Sequence, residues 1–223
     1  MHMNTEPPIL YFGTPVVLIS TLNEDESHNL APISSVFWLG WRCMIGLIAF
    51  SKTAQNMIRT GECVINLPSV SEVAAVYRLA LTTGSNPVPV FKARMGYQYT
   101  ADKFGIAGLT RLTSETVAPP RVQECPVQLE GGVVTKHGVG GDSPAHRGFI
   151  LCFETRIQRV QADDSIMMDG ENNRIDPDKR RLLIMSFQQL YGLGDRLQHS
   201  SLGTIPESTY RNPDMEMSRH PHR

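Results

Sequence analysis

The sequence predicts a mainly β protein, folded as a closed or partly open antiparallel barrel with short helices at its periphery. Six or seven short runs of apolar and β-branched residues are spread along the 223-residue chain, with few long helical patterns between them. The first runs are joined by short polar segments, which is typical of antiparallel hairpins and not of βαβ units. No G-x-G-x-x-G segment joins a strand to a helix, which argues against a dinucleotide-binding fold. Together these features favour a barrel.

The first half of the chain contains four predicted strands and one predicted helix. The strands are residues 15–21, 30–39, 42–50 and 62–68. The polar segment 22–29 joins the first two strands as a hairpin. The helix covers residues 53–60, and Gly61 follows it at the position where a left-handed residue ends many helices.

The second half is less regular. A helix is predicted over residues 71–82, and Pro87 and Pro89 prevent it from continuing. A long aromatic-rich loop follows, with a short helix near residues 101–107. Three further strands are predicted over residues 125–141, 148–162 and 165–176, the last with an Asp-Gly turn.

The composition is that of a globular domain. Hydrophobic residues make up 41% of the chain, and the formal net charge of −1 lacks the basic footprint of a general nucleic-acid binder. The longest apolar run, residues 43–50, is too short to span a membrane, and the N-terminus lacks the pattern of a secretory signal. We therefore expect a cytoplasmic protein without nucleic-acid or membrane partners. One domain is expected over residues 1–200, followed by an extended or flexible tail over residues 201–223.

Cysteines and histidines predict no metal site. The four cysteines are far apart and form no C-x-x-C pair, so they are interpreted as buried, reduced thiols. The seven histidines show neither H-x-x-x-H nor H-E-x-x-H spacing. No G-x-S-x-G or comparable motif marks a nucleophile, so no catalytic residue is predicted.

The first candidate site is the predicted strand that contains Asn29, Pro32, Ser34 and Ser35. A proline removes one hydrogen-bond donor from a strand, so this segment is expected at an edge or a barrel rim. In a regular strand Ser34 and Ser35 would point to opposite faces, and only one would line a given pocket. The alternative is a bulge whose serines bond to neighbouring backbone groups.

The second candidate site is the start of the first predicted helix, where Ser51, Lys52, Thr53 and Asn56 cluster. Thr53 is predicted as the N-cap and Asn56 as the N3 residue, so helix initiation explains both. Ser51 and Lys52 would precede the cap. A bound phosphate would use all four residues together with the helix N-terminus. A plain cap and an anion site both remain open at this point.

The third candidate site is the aromatic loop, where Tyr97, Tyr99, Lys103 and Phe104 would offer aromatic faces and an ammonium group to a flat anionic ligand. The alternative is that these aromatic side chains anchor the loop to the core of its own domain.

Several segments, taken in their order, resemble the flavin reductase-like family of FMN-binding split barrels, and within it the flavoredoxin-type branch. The matching segments are VVLIST after Pro15, APISS after Asn29, SKTAQN, TGECVINLPS, DKFGIAGLT, ECPVQLE at residues 124–130 and FILCFETRI. The resemblance covers roughly residues 10–195. It is carried by the order and spacing of the segments, since none of them is diagnostic alone.

The resemblance implies a six-stranded antiparallel Greek-key split barrel that forms a homodimer, with FMN near the subunit interface. The backbone around Ala31 and Pro32, with Ser34 and Ser35, would contact the ring and the ribityl chain. The phosphate would be held by Phe50, Ser51, Thr53 and Asn56. Asn29 belongs to the same matching segment, and Lys103 would approach the ring or the phosphate.

The resemblance also implies an FMN-binding oxidoreductase that uses NAD(P)H as its co-substrate. The alternative is a flavoredoxin-like protein that carries electrons to or from a protein partner, or stores flavin, without using nicotinamides. A barrel that binds another ligand is a third possibility. One departure bears on the choice: many nicotinamide-using members carry a G-D-H segment, whereas here three residues separate Asp142 from His146.

Overall fold

The computed structural model describes residues 2–171 and 173–219. The strands are β1 (Thr14–Pro15), β2 (Val17–Leu22), β3 (His28–Ile33), β4 (Val36–Leu39), β5 (Arg42–Ile48), β6 (Glu62–Leu67), β7 (Thr82–Thr83), β8 (Gln98–Tyr99), β9 (Arg111–Leu112), β10 (Arg121–Val122), β11 (Val127–Val139), β12 (Ile150–Ala162), β13 (Leu183–Ser186) and β14 (Gln189–Gly192). The α-helices are α1 (Lys52–Thr60), α2 (Val73–Leu79), α3 (Val90–Arg94), α4 (Lys103–Ala107) and α5 (Pro213–Arg219). Short 3₁₀ helices cover Val70–Glu72, Asp164–Ile166, Ser201–Thr204 and Glu207–Tyr210.

The main sheet has seven antiparallel strands in the order β3-β2-β6-β11-β12-β5-β4. Its outer strands, β3 and β4, follow each other in the chain with only Ser34 and Ser35 between them. The carbonyl oxygen of Ser35 also accepts a 2.8 Å hydrogen bond from the backbone of Gly46 in β5. The two edges of the sheet therefore meet, and the fold is the predicted mainly β split barrel. Seven strands appear instead of six because the predicted strand 30–39 is broken at the two serines.

Two apolar clusters form the core. Alternate residues of β5, among them Ile45, point into the barrel and pack there against Ile65 and Phe153. The second cluster lies outside the barrel and contains Leu30 of β3 and Phe104 of α4. Each such side chain stabilises the fold by about 1.5–3 kcal/mol when it is fully buried. The second cluster fixes α4, and with it Lys103, against β3.

Helix α1 begins one residue earlier than predicted and ends as predicted. Gly61 ends it in the left-handed conformation, with φ of 71°, and donates its backbone N–H to the carbonyl oxygen of Met57 at 3.0 Å. The predicted helix 71–82 is shorter than expected. A 3₁₀ turn precedes α2, and β7 follows it at Thr82 and Thr83.

The predicted strand over residues 165–176 is wrong. The side chain of Asp163 accepts a 2.9 Å hydrogen bond from the backbone of Ser165 and caps a 3₁₀ helix there. A single β-bridge between Met167 and Ile175 is the strand pairing found in this segment. Sequence analysis also missed β13 and β14, which pair with β1 in a small second sheet.

Of the two alternatives predicted for the tail, extended or flexible, the structure contradicts the extended one for residues 201–219. These residues form two 3₁₀ helices and α5. Asp214 of α5 accepts two hydrogen bonds from the guanidinium of Arg42, at 2.9 and 3.1 Å, and this ion pair attaches α5 to β5. Residues 220–223 lie outside the described part of the chain.

The cysteines are free thiols, as predicted. Cys43, Cys63 and Cys125 are buried and Cys152 is partly buried. Burial raises the pKa of Cys63 to about 12, so this thiol stays protonated at neutral pH. Within the described residues, no helix has the length and apolar character needed to cross a membrane.

Candidate functional site

A cavity of about 300 Å³ opens at the rim of the barrel, where β3 passes into β4. Most of the predicted binding residues line it: Asn29, Ala31, Pro32, Ser34, Ser35, Ser51, Thr53 and Lys103. Segments that are far apart in the sequence complete the wall, namely Tyr11, Gly46–Ile48, Thr82–Gly84, Lys92 and Tyr97. A volume near 300 Å³ lies at the lower end of the range for ligand pockets.

The break between β3 and β4 places both serines on the cavity. Pro32 pairs with Leu18 of β2, and β3 has no further strand beyond it in the sheet order, so the expected edge position of the proline is confirmed. Ser34 and Ser35 would point to opposite faces only in a regular strand, and this condition is not met, because neither residue belongs to a strand and both line the cavity. The hydroxyl of Ser35 shares a 2.9 Å hydrogen bond with the hydroxyl of Tyr11.

The N-cap of α1 is Ser51 and not Thr53. Ser51 has an extended backbone, and its Oγ accepts a 3.2 Å hydrogen bond from the backbone N–H of Ala54. Lys52 and Thr53 are therefore the first two residues of the helix, and Asn56 lies beyond the N3 position. Both Ser51 and Thr53 face the cavity, so the helix N-terminus opens towards it.

A hydrogen-bond network behind the cavity joins β2, β3 and α1. The amide nitrogen of Asn29 donates to Thr53 Oγ1 at 3.1 Å and to Thr21 Oγ1 at 3.3 Å. Asn29 is only 1% exposed, and its Oδ1 has no hydrogen-bond partner among the described residues. A buried amide oxygen without a partner is costly, so the remaining bonds of this network must offset that cost.

Two predicted binding residues do not line the cavity. Asn56 is fully buried, and its amide nitrogen donates to Thr21 Oγ1 at 3.0 Å and to Asn23 Oδ1 at 2.9 Å. The ring of Phe50 packs edge-on against Phe91 and Phe149, with centroids 5.2 and 5.1 Å away. Asn56 therefore supports α1 from behind, and Phe50 supports the residues that precede it.

Three lysines and no carboxylate line the described wall of the cavity. The ammonium of Lys52 forms an ion pair with Glu24. That of Lys92 lies 3.4 Å from Thr83 Oγ1 and 5.3 Å from the centroid of the Tyr97 ring. Burial lowers the pKa of Lys92. The cavity is thus electrostatically suited to an anionic ligand.

Lys103 is the most deeply placed of these lysines. Only 3% of its surface is exposed, and no hydrogen bond or ion pair holds it within the described structure. Burial, with a smaller contribution from the positive charge of Lys92, lowers the pKa of Lys103 to about 7.

In the aromatic loop, one aromatic residue of the predicted set contacts the cavity and another anchors the loop to the core. Tyr97 lines the cavity, whereas Tyr99 does not and is 45% exposed. Phe104 is buried in the second apolar cluster, with Arg111 5.0 Å above its ring. For Phe104 the role of a core anchor is correct, because α4 is held to β3 through it.

Sequence reasoning missed Tyr11, Lys92 and the segment Thr82–Gly84. Tyr11 precedes the first strand, and its contact with Ser35 joins residues 24 positions apart. Lys92 lies in the long loop after the second predicted helix, and nothing local shows that its side chain turns towards the cavity. Asp142 and His146 belong to the turn between β11 and β12 and do not line the cavity.

Comparisons with known proteins agree with this fold. The sequence model of the flavin reductase like domain family matches residues 9–168. The chain belongs to this family. A protein of Bacillus subtilis strain 168 designated "Uncharacterized protein YdfE" is 38% identical over 189 residues, which cover 85% of this chain and 88% of that protein.

Solved structures of flavin reductase-like proteins share the fold. Flavoredoxin of Desulfovibrio vulgaris (Miyazaki F) matches with a TM-score of 0.72 and 22% identity, over 91% of this chain and all of the other. Nitrilotriacetate monooxygenase component B from Bacillus cereus matches with a TM-score of 0.67 and 18% identity, over 86% and 89% of the two chains. Family membership supports a flavin-binding function of the reductase type.

Proposed function

We propose that the protein is an FMN-binding oxidoreductase that takes electrons from NAD(P)H. The observation that carries the proposal is the lining of the cavity, where three lysines and the N-terminus of α1 are combined with apolar residues of β3 and β5. In this proposal the polar residues form one end of the cavity and the apolar residues the other, which suits FMN, since a phosphate and a flat ring lie at opposite ends of its ribityl chain.

The polar end is contiguous and would hold the phosphate. Asn29 bonds to Thr53, and Gly84 lies against both Asn29 and Lys52. Lys92 approaches Thr83 on the same segment. A phosphate here would meet the N-terminus of α1, hydroxyl groups and ammonium groups together, which is the donor set that protein phosphate sites use.

The apolar end would hold the ring. It is built from Ala31–Ile33 in β3 and from Gly46–Ile48 in β5, among which Ala31 has a small side chain and Gly46 has none. Such a surface lets a flat ring approach the backbone closely. Ser34, Ser35 and Tyr11 would supply hydroxyl groups at the rim of this surface.

The protein contributes orientation and electrostatics to the proposed reaction. Bound FMN supplies the hydride and electron chemistry, so no acid, base or nucleophile of the chain is required. The walls formed by β3 and β5 exclude water from one side of the ligand. Lys92 and Lys103 stabilise negative charge in the cavity, where the low dielectric strengthens their effect.

A second candidate function is electron carriage between proteins without nicotinamides. The position of His146 favours it, because this residue lies in the turn between β11 and β12 and not on the cavity wall. The two candidates share the flavin site and differ in the electron donor.

We also propose that the protein is a cytoplasmic homodimer. Strand β4 ends the order of the main sheet, and its side chains Phe37 and Leu39 are 53% and 67% exposed. Exposed apolar residues on a sheet edge favour contact with a second copy. Free thiols at all four cysteines agree with a reducing compartment. Sedimentation velocity of the wild type and of Phe37→Lys/Leu39→Lys tests the dimer, which a monomeric wild type would contradict.

An anaerobic absorbance titration tests the proposed function. Purified protein is expected to bind FMN, and its flavin band is expected to bleach when NADH or NADPH is added. Bound FMN that stays oxidised with both nucleotides but bleaches with a reduced carrier protein would favour the second candidate. A protein that binds neither FMN nor FAD would refute both.

A further inference from the structure

Lys103 stands apart from the other cations of the protein. Within the described part of the chain it is the one lysine or arginine classed as buried, and it reaches the cavity without a hydrogen-bond or ion-pair partner. Buried cations are normally paired, because removing an ammonium group from water costs several kcal/mol. A buried and unpaired lysine therefore favours its neutral form until an anion arrives.

The carboxylates near Lys103 are engaged elsewhere. Asp102 caps α4 by accepting a 3.0 Å hydrogen bond from the backbone of Gly105, and it forms a 2.6 Å ion pair with Arg111. Asp102 is 63% exposed in its side chain, so water screens it. Glu24 lies beside the cavity but is paired with Lys52.

The two elements that pack most closely against α4, α2 and β3, contain no carboxylate. On α2, Arg78 donates to the carbonyl oxygen of Ala107. On β3, the ring of His28 packs against Phe104 at 6.3 Å, and burial lowers its pKa. Lys92 also lines the cavity, and its positive charge disfavours the charged form of Lys103. The phenols of Tyr11 and Tyr97 line the same cavity.

We propose that Lys103 is the residue that selects a phosphate-bearing ligand, and that it takes up one proton from solvent when the phosphate binds. The proposal rests on the proposed flavin function and adds to it the residue that recognises the negative charge of the ligand. The neutral amine of Lys103 gains one proton and becomes an ammonium group, which then forms an ion pair with the phosphate dianion. No bond to the ligand forms.

The number of protons taken up when FMN binds follows from the pKa of Lys103, which is about 7 in the ligand-free protein. At pH 8 most Lys103 amines are neutral, so binding of FMN should take up about 0.9 proton. Between pH 7 and pH 9 the dissociation constant of FMN should rise about 50-fold, because the fraction of protein with a protonated Lys103, the form that binds FMN, becomes small. The FMN phosphate loses its second proton near pH 6, below this range.

Isothermal titration calorimetry of the intact protein in two buffers of different ionisation enthalpy measures the uptake. FMN at pH 8 is expected to show about 0.9 proton and riboflavin, which lacks the phosphate, none. Lys103→Met should abolish the uptake and make FMN affinity independent of pH between 7 and 9. The exposed Lys136, which lies on β11, provides the control Lys136→Met, and this variant should behave as the wild type.

Each outcome is decisive. FMN binding without proton uptake, or equal uptake with FMN and riboflavin, would overturn the role of Lys103 while leaving the flavin function intact. Uptake that persists in Lys103→Met and disappears in Lys92→Met would assign the proton to Lys92 and would also overturn it. Absence of any binding heat with FMN and FAD would overturn this inference together with the proposed function. If Lys103→Met does not fold, Lys92→Met decides the question: uptake that persists in this variant supports Lys103, and uptake that disappears overturns its role.

Discussion

Gly84 lies so close to Asn29 that a Cβ atom at position 84 would stand 2.6 Å from Asn29 Oδ1. The same atom would stand 3.1 Å from Cγ of Lys52. Asn29 cannot move away freely, because its amide nitrogen is bonded to Thr53 and Thr21. Gly84 therefore lets the chain after β7 pack directly against β3 and α1 at the polar end of the cavity.

Gly84→Ala is expected to lower the free energy of unfolding by about 1–3 kcal/mol, the usual cost of overpacking. It should also weaken FMN binding at least tenfold, because displacement of Asn29 disturbs Thr53. Urea denaturation and fluorescence titration of FMN measure the two effects. In the control Gly141→Ala the new Cβ has nothing within 4 Å, so neither quantity should change. Unchanged FMN affinity in Gly84→Ala would remove position 84 from the site.

Ser51 is expected to serve both the helix and the ligand. Ser51→Ala should cost about 0.5–2 kcal/mol of stability through loss of the N-cap, and about 1.5–3 kcal/mol of FMN binding through loss of a charge-assisted hydrogen bond. Ser69→Ala is the matched control, since Ser69 caps a 3₁₀ helix and does not line the cavity. It should lose stability and keep its FMN affinity. Equal effects of the two variants on FMN affinity would show that Ser51 is only a cap.

The barrel was predictable from the apolar runs of its strands and from the residues that end its helices. The runs that became β2, β5, β6, β11 and β12 are apolar enough to identify from local sequence. Gly61 marked the end of α1 for a local reason, its left-handed conformation. The break at Ser34 and Ser35 was not predictable, because the same residues are compatible with a continuous strand. It arises from closure of the barrel, which is a non-local event.

The site was predictable where the sequence places polar residues against apolar ones, as at Asn29 and Ser51. It was not predictable where tertiary packing decides. Nothing local distinguishes Lys103, buried at the cavity, from an exposed lysine, and burial follows only from the docking of Phe104 beside it. Asn56 shows the reverse case, since its amide nitrogen donates to Thr21 and Asn23 behind the cavity and its side chain does not line the cavity.

The stability of the ligand-free protein is expected to rise with pH above 7 because of Lys103. Its pKa is lowered from 10.5 to about 7 in the folded protein, so between these values the unfolded chain binds the additional proton. Stability therefore increases with pH in this window, by at most about 1.4 kcal/mol per pH unit. Urea denaturation at pH 7 and pH 8.5, compared between the wild type and Lys103→Met, measures the effect.

The comparison with Lys103→Met is needed because buried thiols act in the opposite direction. The pKa of Cys43, of Cys63 and of Cys125 is raised by burial, so the unfolded chain loses these protons first as pH increases. The variant keeps the thiol contribution and lacks that of Lys103. Identical pH slopes for the two proteins would mean that Lys103 is charged in the folded state.

The ion pair between Arg42 and Asp214 is expected to hold α5 on the barrel. Asp214 is 15% exposed in its side chain and accepts two hydrogen bonds from a guanidinium that also donates to Glu154 at 2.5 Å. Asp214→Ala should cost about 1 kcal/mol locally, because the pair is charge-assisted but partly reached by water. Amide hydrogen exchange over residues 213–219 should become roughly fivefold faster, while exchange in β11 and β12 stays the same.

The control variant Asp169→Ala removes a far more exposed ion pair, the one with Lys179, and should leave exchange in α5 unchanged. Unaltered exchange in Asp214→Ala would mean that other contacts of α5 hold the helix on the barrel.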